Sequence, residues 1–107
     1  MAHGSPALFQ KTVELGRRYH VQVVEDQQPL WRVSYLIDSY HFLRFNVPAI
    51  FFFTGVHPDY HQPTDAADKI RYQEMSRIVE LSTALARHWA DGAPKPDFRR
   101  PEWFLTP

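Results

Sequence analysis

The sequence predicts an α/β chain, with a partial mixed or parallel sheet flanked by helices. Three observations carry that reading. Residues 47–55, "VPAIFFFTG", form an apolar run with few polar positions. Such a run expects cover on both faces, as in a central strand of an α/β sheet. Met75, Ile78, Val79, Leu85 and Trp89 recur at helical spacing and predict a long amphipathic helix over residues 72–90. Helical and extended patterns alternate through the rest of the chain, which is the layer order of an α/β fold.

The elements are taken in chain order. Ser5-Pro6 reads as a helix start, Ser as the cap and Pro at the first helical position. Leu8, Phe9, Val13 and Leu15 then make a helical stripe to about Tyr19. "HVQVVED", residues 20–26, has the β-branched content of a short strand. "QQPLWRVSYLID" mixes aromatic and β-branched residues with an early proline and reads as irregular extended chain. "SYHFLRF" predicts a short helix capped by Asp38 or Ser39, which Asn46 leaves and Pro48 blocks from continuing. The apolar run ends at Gly55, and a polar loop stiffened by Pro58 and Pro63 leads to the long helix, with Asp65 or Asp68 as its expected cap. Gly92 stands where that helix should stop. The organisation is a body over 1–92 and a proline-rich tail over 93–107, whose Trp103 and Phe104 are expected to pack back on the body. Two legible strands make a thin sheet for an independent domain.

Composition narrows the function classes. The 107 residues are 44% hydrophobic and 15% aromatic, enough for a core and too much for a disordered tail. Basic and acidic residues balance at 12 each, so the basic excess of an electrostatic nucleic-acid binder is lacking. Without cysteine there is no disulfide, thiol nucleophile or thiolate metal site. No apolar segment reaches the roughly 18 residues that span a bilayer. "MAHGSPAL" lacks the basic and apolar regions of a signal peptide. No glycine-rich phosphate loop and no nucleophile elbow are found.

The chemistry gathers in "HPDYHQPTD", residues 57–65. Loops at the carboxyl ends of sheet strands are where open α/β folds bind ligands. His57, Asp59, His61 and Asp65 are of the residue types that ligate zinc. Tyr60 adds a phenol able to donate to an oxyanion. The same composition also suits a solvated turn, in which Asp59 binds local backbone amides. His3, His20, His41 and His88 read as structural, His88 by complementing a helix C-terminus.

Residues 37–81, from "IDSYHF" through "VPAIFFFTGVHPDYHQPTDAADKI" to the long helix, resemble the C-terminal part of the di-zinc aminopeptidase family. That family includes bacterial leucyl aminopeptidases and is related to glutaminyl cyclases and glutamate carboxypeptidases. Its pattern is a Ser-Asp-His-x-x-Phe segment, a strand containing Gly-[IV]-Pro, and a Tyr-His-x-x-x-Asp loop before a last helix. The resemblance implies the C-terminal portion of a zinc-exopeptidase fold acting on peptides with a free N-terminus. It makes His61 a zinc ligand and Tyr60 a group that stabilises the tetrahedral intermediate. It gives Asp65 and Asp38 supporting roles and leaves His57 and Asp59 as accompaniments. Ile37 and Ser39 replace the usual serine and histidine around Asp38, which weakens that segment's hydrogen bonding. Asn46 replaces the glycine before Val47-Pro48, a mild change because Asn tolerates a left-handed backbone.

The family site takes two zinc ions and five ligands, and only the final histidine matches here. The resemblance implies that the other ligands and the catalytic glutamate come from polypeptide preceding residue 1. The chain alone is therefore expected to be inactive. An uncovered strand should leave an open edge, filled either by that missing half or by a second copy of the chain. The alternative is a non-catalytic protein-interaction module derived from the same fold.

Overall fold

A computed structural model describes residues 2–25 and 37–100. Strand β1 (Ala2–His3) leads into helix α1 (Pro6–Arg18), then helix α2 (Ser39–Arg44), strand β2 (Ala49–Ile50), a 3-10 turn (Ala67–Lys69) and helix α3 (Tyr72–Ala90). The irregular stretch 27–36, Asp26, and Trp103 with Phe104 lie outside the described residues. No described helix is long and apolar enough to cross a membrane.

Helix α1 starts as the sequence dictates. Ser5 is extended at φ −152°, and its Oγ accepts the Leu8 amide at 3.2 Å, while Pro6 takes the first turn. Leu8, Thr12 and Gly16 form its buried line. Thr12 satisfies its buried hydroxyl by donating to the Leu8 carbonyl at 2.7 Å.

The three described helices end alike. After α1, His20 turns left-handed at φ 57°, and the Val21 amide donates to the Gly16 carbonyl at 2.8 Å. After α2, Asn46 sits at φ 58°, and Val47 donates to Phe42 at 3.0 Å. After α3, Gly92 sits at φ 104°, and Ala93 donates to His88 at 3.4 Å. Each is a left-handed closure that satisfies terminal carbonyls. Gly16 serves the first in a second way: a Cβ there would lie 2.7 Å from the Val21 carbonyl oxygen and from Val23. The chain after α1 returns onto that bare backbone instead of forming the strand expected over 20–26, and residues 21–25 carry no regular structure.

The sheet is smaller than the apolar run suggests. β1 and β2 pair antiparallel over two residues each, Ala2 opposite Ile50 and His3 opposite Ala49. A mixed or parallel sheet is not formed among the described residues. Phe51 and Phe53 stack with centroids 5.8 Å apart, as residues two apart do on one side of extended chain. Among the described residues the ladder covers Ala49 and Ile50.

Among the described residues Leu8, Leu43, Leu81 and Leu85 are the buried apolar side chains, where α1 meets α3 with α2 alongside β2. The buried face of α3 is rotated from the expected one. Leu81 and Leu85 are buried, whereas Met75 and Val79 are exposed at 44% and 55%. Neither Asp65 nor Asp68 caps α3: its cap position is Arg71, which pairs with Glu74 one turn in. The 3-10 turn takes up the residues that would have placed an aspartate there. The tail returns to the body through Phe98, whose ring packs against Gly4, and through the Arg99 amide, which donates to the Gly4 carbonyl at 2.7 Å.

Candidate functional site

Gly55, at φ 95°, turns the chain out of the apolar run and starts the histidine loop. Successive tight turns come next. The Tyr60 amide donates to His57, Gln62 to Asp59 and Asp65 to Gln62, at 2.9, 2.9 and 3.0 Å. These bonds lie within the loop, so it holds its own shape with little burial.

Asp59 ties the loop to the 3-10 turn beyond it. Its Oδ1 accepts from Thr64 Oγ1 at 2.7 Å and from Lys69 Nζ at 2.9 Å. The Thr64 hydrogen bond, then the Lys69 bond, hold the Asp59 carboxyl below the usual aspartate range. Lys69 sits in the 3-10 turn, and the Tyr72 hydroxyl donates to the Ala67 carbonyl at 2.8 Å. Loop, turn and the first residue of α3 thus form one hydrogen-bonded unit.

Tyr60 and His61 form a stacked ring pair in this unit. Their rings stack at 4.1 Å between centroids and 14° between planes, and His57 stands edge-on to Tyr60 at 6.2 Å. His61 has a left-handed backbone at φ 57°. That conformation is uncommon for a residue other than Gly, though His, like Asn and Asp, takes it more readily than most. Both rings are exposed.

The remaining sequence-chosen residues are placed apart from that pair. Asp65 is exposed at the end of the turns, joined to them through its backbone amide. Asp38 is exposed at the cap position of α2 with an αR backbone, and its carboxylate makes no cap hydrogen bond. Beside it the Ser39 hydroxyl is buried without a partner among the described residues. Sequence reasoning missed Thr64 and Lys69 as the residues that shape the loop. Thr64, five residues after an aspartate on a proline-bounded turn, was the available signal.

The donor set does not fit a two-zinc centre by itself. Among the described residues no three His, Asp or Glu side chains gather to hold a metal ion. His61 is one exposed imidazole, and the loop carboxylate of Asp59 is engaged by Thr64 and Lys69. No reaction step through zinc can be derived from these residues alone.

A separate apolar groove of about 560 Å³ lies between β2, α3 and the start of the tail. Ile50, Phe52, Leu85 and Trp89 line it, with Lys95 as its charged residue, and no residue of the histidine loop reaches it. The Trp89 indole is held by donating to the Pro94 carbonyl at 3.1 Å.

No curated protein and no solved structure matches the chain. The sequence model of peptidase family M28 matches residues 1–86. That stretch is well over half of the 107 residues and contains the loop, both strands and most of α3, so the chain belongs to peptidase family M28.

Proposed function

We propose that this chain forms the C-terminal part of the catalytic domain of a zinc-dependent aminopeptidase, similar to the leucyl aminopeptidase and glutaminyl cyclase-like enzymes. The Tyr60–His61 pair carries the reading. It is exposed and stacked, and it sits on a loop that hydrogen bonds hold at the exit of an apolar run. In this reading His61 contributes one imidazole to the metal centre. The Tyr60 hydroxyl donates to the oxyanion of the tetrahedral intermediate, a contact of the kind worth ~3 kcal/mol. Asp65 orders the loop, and Asp38 supports the site from α2. The remaining ligands and the general base belong to polypeptide outside these residues. The substrates are peptides with a free N-terminus.

A second reading is a non-catalytic interaction module on the same fold. What favours it is that no trio of ligating side chains gathers among the described residues.

Zinc titration followed at the His61 ring by NMR, with metal analysis of wild type and His61→Ala, separates the two readings. The catalytic reading expects weak zinc contact at His61 that is lost in His61→Ala, and no hydrolysis of an aminoacyl anilide by the chain alone. A His61 ring untouched by zinc favours the module. Zinc held tightly by both wild type and His61→Ala removes His61 as a ligand and overturns the site assignment.

A further inference from the structure

The histidine loop is a series of β-turns, each closed by an amide donating to the carbonyl three residues back. The first spans residues 57–60, the second 59–62 and the third 62–65. Pro58 and Pro63 take the second position of the outer two, where the fixed φ of proline suits a turn. The middle turn has neither proline nor glycine, and its two central residues are Tyr60 and His61. His61 stands at the third position with φ 57°, where a left-handed backbone usually belongs to Gly or Asn. Local backbone preference therefore specifies the outer turns well and the middle one poorly.

Asp59, the first residue of the middle turn, supplies what local preference lacks. Its carbonyl accepts the Gln62 amide at 2.9 Å, and its Oδ1 accepts from Thr64 Oγ1 at 2.7 Å and from Lys69 Nζ at 2.9 Å. Thr64 belongs to the third turn, so that bond spans the middle turn from one side to the other. Lys69 belongs to the 3-10 turn and anchors the series from outside it. One carboxylate thus braces the segment that carries the stacked rings. An exposed ion pair contributes little to global stability. In a loop with no buried side chain it decides among local conformations, because no packing competes with it.

We propose that Asp59 and Lys69 are positioning residues for the Tyr60–His61 pair: their ion pair, with the Thr64 hydrogen bond, keeps the middle turn closed, the His61 backbone left-handed and the two rings stacked. The bearing of this on catalysis rests on the roles proposed above for Tyr60 and His61. Loss of Lys69 removes neither a ligand nor an oxyanion donor. It lets the two rings point independently.

Proton NMR of the metal-free chain tests the proposal, on wild type, Asp59→Ala, Lys69→Ala and Lys69→Arg. Two signals report the pair. Stacking on the Tyr60 ring shifts the His61 ring protons upfield. A left-handed φ brings the His61 amide proton close to its own Hα and gives a strong intraresidue Overhauser effect. Wild type should show both. Asp59→Ala and Lys69→Ala should lose most of the upfield shift and of the Overhauser effect, with the far-ultraviolet helix signal unchanged. Lys69→Arg keeps a cationic donor for Asp59 and should retain both signals. Lys11→Ala removes a different exposed ion pair, with Glu14 on α1, and should change neither. Rings that stay stacked in Asp59→Ala or in Lys69→Ala overturn the proposal. So does a loss in Lys69→Arg as complete as in Lys69→Ala, or the same loss in Lys11→Ala. No zinc enters this experiment, so its outcome is separate from the zinc titration. Stacking that depends on Lys69, together with a His61 ring untouched by zinc, overturns the catalytic reading and upholds this one.

Discussion

The α1–α3 contact and the histidine loop are held by opposite means. The first is built from apolar burial: Leu8, Leu43, Leu81 and Leu85 lie inside, and the polar groups that accompany them are satisfied locally, Thr12 and Ser5 by helix backbone. The loop buries no side chain and is shaped by turns, one carboxylate and stacked rings. Stability is thus concentrated away from the residues proposed to carry the chemistry. Those residues are free to be exposed and, at His61, to keep a left-handed backbone.

The sharpest way to break this contrast is a pair of alanine substitutions. Leu81→Ala removes a fully buried side chain and should cost about 2–5 kcal/mol, read as a fall in the urea midpoint. His61→Ala should move the same midpoint within about 0.5 kcal/mol, as an exposed position does. Comparable losses from the two would mean that the loop is part of the core after all.

A smaller effect tests how α1 is closed. Gly16→Ala improves helix propensity by about 1 kcal/mol but drives a Cβ to 2.7 Å from the Val21 carbonyl oxygen. Overpacking of this kind costs about 1–3 kcal/mol, so the net change should be destabilising. A more stable Gly16→Ala protein would show that residues 21–23 do not return onto the helix.

The smallest effect belongs to the loop and depends on pH. Asp59 has a folded pKa below its unfolded value, first through Thr64 and then through Lys69. Its contribution is present above the unfolded value, about 3.9, and is lost as pH falls through the lower folded one. In an acid titration, the Thr64 and Lys69 resonances should shift together in that window. Asp59→Asn should abolish the shift and leave the α1–α3 contact unchanged. A titration centred above the ordinary aspartate range would contradict the two hydrogen bonds. Salt should weaken the Lys69 contribution, because both partners are solvent-accessible.

How much of this was legible beforehand depends on the range of each interaction. The Ser5-Pro6 start, the Asn46 and Gly92 stops and the extent of α3 are settled within a turn or two of chain, by cap hydrogen bonds and by backbone sterics. His20 closes α1 in the same left-handed way without a residue type that announces it. The loop's composition was equally plain, since prolines and short polar residues force turns.

By itself, then, the sequence determined the helices, the turn-rich loop and the Tyr60-His61 pair, because each rests on contacts between near neighbours in the chain. Only the tertiary structure decided three things. It turned Leu81 inward in α3 and left Met75 and Val79 outside, because the buried face is set by what α1 presents. Among the described residues it paired Ala49–Ile50 with Ala2–His3, because a ladder requires a second strand in register. It also left the ligating residue types ungathered among the described residues, because convergence on an ion depends on the positions of distant segments, which residue identity alone does not encode.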